Sequence, residues 1–447
     1  MKKNRLGFMA LSMLSVVAFA TSCGGTSSFV PPTPEDAVGD WTTVQKTYLD
    51  ETDIGTNLDI TAGKLDKYTA DNPLKIGLVT DSGTLNDHSF NESAWKGVNQ
   101  FAMENGVGGE ESEKGVQKGT IQTYYVQPTP GQYTAAGRLE AMRSVVKWGA
   151  DVIVLPGYLF QGAIALALKD SDFDNVAFLA LDCAETDDDG KEIKFTDRIT
   201  SVIYREEQCG YLAGYAAVMD GYTRLGFVGG VAVPAVIRYG SGYVQGAAEA
   251  AKELGLESPV SVQYYYAGAF EGTTEATTYA STWYQTGAAE VIFSCGGSVY
   301  TSVLEASKNN NYAPWIGVDV NQHADTSITP TEARDAIITS AMKNLTFATK
   351  VLLTDWVNRD GNWSDALKGN VVTVGAKSEM VKLPTPKEDG DEGCWGFEKF
   401  TIEEYNKLYE EIKNETVKVN SNQDNDSLSA NNFGVDPQYC VVNYIAA

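Results

Sequence analysis

The sequence predicts an α/β protein with two doubly wound lobes, each a parallel β-sheet covered by helices. The chain has 447 residues, of which 43% are hydrophobic and 21% charged, so it is long enough for two or three domains with sizeable cores. Short apolar runs alternate with segments whose apolar residues recur at helical spacing, and this alternation is typical of parallel sheets. The alternation occurs in two series, which indicates two sheets.

The first series begins at residue 75 with the apolar run KIGLVT. A segment from Phe90 to Met103 then repeats apolar residues at helical spacing, and the same order recurs through DVIVLPG and VAFLALD. The second series contains the runs RLGFVGG, SVQYYY, EVIFSCGG, WIGVDV and AIITSAM, separated by helical segments. Chain order indicates lobes that cross over more than once. We place an N-lobe at 74–200 with a segment near 345–370, and a C-lobe at 201–342 with 371–447, which ends in a polar extension.

The N-terminus has the pattern of an export signal. Basic residues at positions 2, 3 and 5 precede an apolar run, and small residues then lead into Cys23. We expect a lipoprotein leader at 1–22, a lipid on Cys23, and a tether with a short arm at 23–73, which places the protein on the extracytoplasmic face of the cell membrane. The alternative is an ordinary cleaved signal followed by an incidental cysteine.

Charge and cysteine content exclude some classes of function. The chain has 34 Lys and Arg against 59 Asp and Glu, a net charge of −25, which becomes −28 when the three basic leader residues are removed. Such a surface repels nucleic acid. No cysteine pair has metal-ligand spacing. Cys394 and Cys440 could form a disulfide, although the sequence favours free thiols at the five positions Cys183, Cys209, Cys295, Cys394 and Cys440.

Polar residues, aromatic residues and glycine turns follow the predicted strands, at the edge where doubly wound sheets bind their ligands. They are Asp81, Phe90, Asn91, Gly157, Tyr158, Asp182, Gly296, Gly297, Asp319 and Lys343. Carboxylates accept hydrogen bonds from hydroxyls, an amide both donates and accepts, and an aromatic ring offers a stacking face. The set therefore suits a neutral, polyhydroxylated ligand with a flat ring. Taken singly, Asp81 and Asp319 could be helix caps, Phe90 a core residue and Lys343 a solvated lysine.

Several motifs resemble the basic membrane protein family of bacterial lipoproteins. They are DSGTLNDHSFNESAWKG, GYLAG, LGFVGG, the stretch 234–246, WIGVDVNQ and ITSAMKN, and the resemblance spans about 74–360. It implies a type I periplasmic binding protein fold and a purine-nucleoside receptor of an ABC importer. It also implies ligand contacts from Asp81, Phe90, Asn91, Asp182, Gly296 or Gly297, Asp319, Lys343 and Phe270, with Arg238 or Tyr239 lining the far lobe.

The sequence departs from this family in two places. The family's Gly-Gly-Thr-Gly turn reads Gly296-Gly297-Ser298-Val299, and the segment after about 365 is long and polar, with a predicted exposed loop or disordered tail at 421–432. We also expect that ligand binding closes a hinge between the lobes, that the protein is a monomer and that it docks on a permease. We expect no cofactor. The alternatives are a simple sugar or another small polar molecule as ligand, or a surface interaction protein that acts through its acidic C-terminal segment.

An enzyme is the least favoured interpretation. His88 and His323 each follow a motif carboxylate or amide, but the sequence has no Glu-x-x-His spacing, no G-x-S-x-G elbow and no phosphate loop. Glycoside hydrolysis by two cleft carboxylates would require one of them to have a raised pKa. We therefore expect a binding protein and no catalytic residues.

Overall fold

The computed structural model describes residues 65–82, 84–421 and 433–445. The predicted leader, Cys23 and the tether lie outside the described residues, as does almost all of the predicted loop or tail at 421–432. In chain order the strands are β1 Leu74–Val79, β2 Glu110–Ser112, β3 Gly115–Gln117, β4 Ile121–Val126, β5 Val152–Pro156, β6 Ala177–Leu181, β7 Ile199–Tyr204, β8 Arg224–Gly229, β9 Val260–Tyr266, β10 Val291–Cys295, β11 Trp315–Asp319, β12 Ile337–Lys343, β13 Val371–Val374, β14 Val381–Lys382 and β15 Cys440–Ile445. The helices are α1 Phe90–Asn105, α2 Ala135–Trp148, α3 Gln161–Ala167, α4 Glu206–Asp220, α5 Pro234–Glu253, α6 Thr274–Thr286, α7 Tyr300–Asn309, α8 Thr331–Asp335, α9 Leu345–Asn358, α10 Pro386–Asp389 and α11 Ile402–Lys413.

Two large sheets define the two lobes. The first has the strand order β13-β7-β6-β5-β1-β4 with only parallel pairings, and with α1, α2, α3 and α9 it forms the N-lobe. The second has the order β14-β12-β11-β10-β8-β9-β15, in which only the short β14 is antiparallel, and with the remaining helices it forms the C-lobe. Strands β5, β6, β10 and β11 are buried at every residue, because helices cover both faces of a parallel sheet.

The chain passes between the lobes three times. It leaves the N-lobe after β7 and returns after β12 into α9, which packs against α1. It leaves again after β13, since β13 pairs with β7 and β14 pairs with β12. The strand pairings therefore put two crossings a few residues later than the boundaries at 200 and 370 that the sequence suggested.

The C-terminal segment is an integral part of the C-lobe. Strand β15 pairs with β9 along its whole length, and α11 packs on α4 through buried residues that include Tyr405 and Ile412. The ring of Phe433 lies 4.9 Å from that of Tyr264 in the core. The polar residues of this C-terminal segment therefore lie on the outer face of a segment that is packed against the lobe.

Helices α4 and α5 approach each other unusually closely. A β-carbon at Gly210 or Gly214 of α4 would overlap the carbonyl oxygen of Tyr239 or Tyr243 of α5. Only glycine permits backbones to pack at this distance. Helix α4 begins directly after the chain first crosses between the lobes. Its close packing therefore fixes this part of the chain against α5, whose N-terminal turns border the cleft.

Candidate ligand-binding site

A cavity lies between the carboxyl ends of the two sheets. Both lobes contribute to its lining, which comprises Asp81, Asp87, Phe90, Asn91, Gly157, Tyr158, Leu159, Asp182, Val233, Ala235, Val236, Tyr239, Phe270, Cys295, Gly296, Gly297, Ser298, Val318, Asp319 and Lys343. With the exception of Arg238, every residue that the sequence assigned to the site borders this one cavity.

Arg238 lies behind the cavity instead of lining it. On α5 it is about 100° around the helix from Tyr239, which does line the cavity. Its guanidinium is buried and pairs with Glu206 at the start of α4. Of the two residues proposed to line the far lobe, Tyr239 borders the cavity and Arg238 does not, because Arg238 is paired inside the protein with a carboxylate that no sequence pattern singled out.

The strand ends at the cavity have unusual backbone conformations in both lobes. Gly157 and Gly296, which follow β5 and β10, have φ of 124° and 122°. Asp182 and Asp319, at the ends of β6 and β11, both have φ of 63°. Left-handed backbone is uncommon for residues other than glycine, and it concentrates at functional sites. Here it turns the chain sharply at the end of each strand, and both aspartates border the cavity.

The loop before α1 is organised by Asp87, which was not among the residues expected at the site. Its carboxylate accepts hydrogen bonds from the backbone N–H groups of Ser89, Asn91 and Glu92 at distances of 2.9–3.1 Å. The usual capping signal is a polar residue directly before the helix, and that position is Ser89 here, so the signal did not single out Asp87. Burial raises the pKa of Asp87 to about 7 despite these donors. The capped loop places Phe90 and Asn91 at the cavity.

Asn91 offers a hydrogen-bond acceptor at the cavity. Its Nδ2 donates to Asp81 Oδ1 at 3.2 Å and to Asp87 Oδ2 at 3.0 Å. Its Oδ1 is buried and has no hydrogen-bond partner among the described residues. A buried acceptor without a partner costs free energy, which a ligand donor would recover. Asn91 is therefore suited to bind an N–H or O–H group of a ligand.

Lys343 is the cation of the cavity and connects the two lobes. Its Nζ lies 2.6 Å from Asp182 of the N-lobe and 2.6 Å from Glu206, and 4.8 Å from the ring centre of Phe90. Burial alone would lower its pKa, but the neighbouring carboxylates Asp182 and Glu206 outweigh burial and raise it. Lys343 therefore stays charged, and it is not the solvated lysine that its sequence position alone would allow.

Among the described residues, Asp319 has only neutral hydrogen-bond donors. Its Oδ2 accepts from Ser89 Oγ across the lobe boundary at 2.5 Å, and its Oδ1 accepts from Tyr239 Oη at 3.3 Å. Burial raises the pKa of this carboxyl group. Each carboxylate oxygen can accept more than one hydrogen bond, so Asp319 retains capacity for ligand hydroxyls.

Phe270 supplies an aromatic wall from the C-lobe. Its ring packs against the backbone of Gly230 and Gly296, where a β-carbon would lie 2.8 and 3.3 Å from it. Its carbonyl oxygen accepts from the N–H of Ser298 at 2.8 Å. The Gly296-Gly297-Ser298-Val299 turn therefore forms a close support for this ring, although it differs from the family pattern.

The remaining walls are mostly apolar, and the cysteines are unpaired. Cys295 lines the cavity beside Val318, and burial raises the pKa of its thiol well above the ordinary value. The five cysteines within the described residues are free and buried, so Cys394 and Cys440 do not form a disulfide. No group of three potential metal ligands occurs in the part of the chain that the structure describes.

Comparisons with known proteins agree with this architecture. The family described as "ABC transporter substrate-binding protein PnrA-like" matches residues 75–431. The chain is 29% identical over 320 residues to the ABC transporter nucleoside-binding protein BmpA of Lactococcus lactis, covering 69% of this chain and 81% of that protein. It is 25% identical over 317 residues to basic membrane protein B of Borreliella burgdorferi, covering 70% and 82%.

Solved structures show the same fold at lower identity. An ABC transporter solute-binding protein from Aeropyrum pernix K1 has a TM-score of 0.59 at 20% identity, covering 79% of this chain and 95% of that one. Another from Conexibacter woesei has a TM-score of 0.55 at 16% identity, covering 78% and 99%. The fold is that of type I periplasmic solute-binding proteins, and the family consists of binding proteins, not enzymes. Since the family match spans most of the chain, the protein belongs to the PnrA-like family of ABC transporter substrate-binding proteins.

Proposed function

We propose that this protein binds purine nucleosides between its lobes and presents them to a membrane permease. The observation that carries the proposal is the composition of the cavity: two aromatic rings, Phe90 and Phe270, border it together with several buried carboxylates. A purine has two flat faces for aromatic contacts, and a ribose has hydroxyls that carboxylates bind. The name of the Lactococcus lactis relative, a nucleoside-binding protein, supports the same ligand class.

Each half of a nucleoside has complementary partners in the cavity. The unpaired Oδ1 of Asn91 would accept from an N–H of the base, next to Asp81. Asp319, and the ion pair of Asp182 with Lys343, would bind the ribose hydroxyls. Four aspartates and one lysine line the cavity, so a phosphorylated ligand would meet net negative charge.

Ligand binding would favour the closed arrangement of the lobes. Asp81, Phe90, Asn91 and Asp182 come from the N-lobe, whereas Phe270 and Asp319 come from the C-lobe. A ligand that contacts both lobes stabilises only the state in which they are close together. We propose that this closed form is the one that docks on the permease.

Anchoring to the cell membrane through Cys23 is part of the proposal and rests on the sequence alone. Within the described residues, no helix combines the length and the apolar character that a membrane span requires. The predicted leader and the lipid-modified cysteine would retain the protein at the extracytoplasmic face. Mass spectrometry of the membrane fraction would test this, because a lipid-modified N-terminus at Cys23 has a defined mass, and a mature chain that begins elsewhere would contradict it.

A thermal-shift screen tests the ligand class. The chain without residues 1–23 would be heated with nucleosides, free bases, pentoses, hexoses and amino acids. A ligand at a hundred times its dissociation constant adds about 2.7 kcal/mol to the free energy of unfolding, so binding should raise the melting temperature clearly. We expect shifts with inosine, guanosine or adenosine and none with ribose or base alone. Shifts with sugars only would reject the nucleoside proposal.

A further inference from the structure

His88 lies at the edge of the cleft and contacts both lobes. It belongs to the N-lobe loop between β1 and α1, and its Nδ1 lies 3.0 Å from Asp325 Oδ2 of the C-lobe and 3.5 Å from Glu92 Oε2 on α1. Its ring meets Tyr300 of the C-lobe edge-on, with 6.4 Å between ring centres. Its carbonyl oxygen accepts from Gln322 Nε2 of the C-lobe at 3.3 Å. Every contact except that with Glu92 joins the two lobes.

We propose that protonated His88 is a positioning residue that holds the lobes closed, so that ligand affinity depends on pH through the His88–Asp325 ion pair. The inference rests on the proposed function, because it requires a ligand that binds the closed form. His88 does not line the cavity, so its contribution reaches the ligand through the closure of the lobes and not through direct contact.

The charged and titratable groups around His88 are mostly acidic. Asp87 and Glu92 face it from its own segment, and Asp325 and the phenol of Tyr300 face it from the C-lobe. Lys96 partly compensates this negative charge, since it lowers the pKa of Glu92. The close contact of its Nδ1 with the Asp325 carboxylate is the main cause that raises the pKa of His88. Separation of the lobes removes Asp325 and would return His88 towards its ordinary pKa of about 6.5.

The direction of the pH effect follows from this raised pKa. Below the open-state pKa, His88 is charged in both states and the ion pair contributes fully to closure. As pH rises through the closed-state pKa, the imidazole loses its proton and the contribution disappears. We therefore expect the ligand to bind more tightly at pH 5.5 than at pH 8.5. Because the imidazole of His88 is 28% exposed, an effect of about two- to fivefold in the dissociation constant is reasonable.

The chain provides a matched control in its other histidine. The sequence has two histidines, and His323 pairs with Asp391 at 2.8 Å within the C-lobe. Substitution of His323 would remove an ion pair within the C-lobe but no ion pair between the lobes. Asp87 complicates the wild-type profile, since its pKa is about 7. The informative quantity is therefore the difference between the profiles of the variants and that of the wild type.

Isothermal titration of the full-length protein in detergent with inosine, guanosine and adenosine, from pH 5.5 to 8.5, tests the inference. The variants are His88→Gln, His88→Lys and His323→Gln, and circular dichroism would confirm that each is folded. We expect His88→Gln to bind about two- to fivefold more weakly than wild type at pH 5.5, with a difference that decreases towards pH 8.5. His88→Lys should keep tight binding at both pH values, and His323→Gln should keep the wild-type profile.

The outcomes separate this inference from the proposed function. A His88→Gln profile parallel to that of the wild type would overturn the inference, as would loss of the pH dependence in His323→Gln alone. If none of the nucleosides binds at any pH, the proposed function fails. Small-angle scattering of the free protein would then decide about His88 independently: the radius of gyration should increase with pH in the wild type and stay high in His88→Gln, and equal behaviour of the two would contradict the role of His88.

Discussion

The cleft edges of the two lobes have the same backbone but different electrostatics. A glycine follows one strand and an aspartate ends the next in each lobe, with φ near 120° for Gly157 and Gly296 and 63° for Asp182 and Asp319. Asp182 is paired with Lys343 at 2.6 Å, whereas the hydrogen-bond donors to Asp319 in the described part of the chain are only the hydroxyls of Ser89 and Tyr239. The same residue at equivalent strand ends therefore has different partners: Asp182 balances a buried cation, and Asp319 accepts from neutral hydroxyls.

The largest expected effect comes from removing the cation of the N-lobe aspartate. Lys343→Met leaves Asp182 and Glu206 buried, with Arg238 as the remaining nearby cation. Loss of one partner from a buried ion pair typically costs about 3–5 kcal/mol. Urea unfolding at pH 7 should show a loss of this size. Lys368→Met, which removes a lysine from an exposed pair, should leave the unfolding midpoint unchanged, and equal effects of the two substitutions would contradict our description of the buried cluster.

The C-lobe aspartate should affect ligand binding more than folding. Asp319→Ala removes an acceptor and would leave ligand hydroxyls unpaired, at a cost of about 2–4 kcal/mol in binding free energy. Titration calorimetry with the best nucleoside from the screen would measure this loss, and Asp360→Ala, at an exposed site, serves as control. Unchanged affinity in Asp319→Ala would remove this residue from the proposed site.

The smallest expected effect concerns the buried carboxyl group of Glu207. Burial, together with the neighbouring Glu206, raises the pKa of Glu207 to about 7. Its carboxyl group thus binds a proton more strongly in the folded than in the unfolded state, so its contribution to stability is complete below about pH 4 and is lost as pH rises through 7. The side chain in Glu207→Gln cannot ionise, so this loss of stability does not occur. The variant should therefore be more stable than the wild type by about 1–3 kcal/mol at pH 8.

Urea unfolding at several pH values checks the Glu207 prediction. The wild type and Glu207→Gln should have similar stability near pH 4 and diverge above pH 6. Arg205 and Arg238 lie close enough to Glu207 to lower its pKa in part, which is why the expected gain is modest. If Glu207→Gln destabilised the protein equally at all pH values, the prediction would be wrong. Glu207 would then stabilise the fold through its contacts, and its negative charge would not be unfavourable.

The sequence alone was sufficient for the fold class and for most of the cleft. Alternating strands and helices indicated two doubly wound lobes, because a parallel sheet buried on both faces leaves a continuous apolar run for each strand. In such sheets the carboxyl ends of the strands share one edge, so the positions of Asp81, Asp182 and Asp319 directly after apolar runs predict that they border one cavity, as they do.

Only the tertiary structure decided how those residues are paired. Ser89 and Asp319 are separated by 230 positions, and Asp182 and Lys343 by 161, and no local pattern reports contacts over such distances. The same limit applies to Arg238, which the turn of α5 directs towards Glu206, and to β15, whose place beside β9 depends on a sheet edge formed far away in the chain. Periodicity reports which face of an element is buried, whereas charge pairing and strand order depend on which other elements pack against that face.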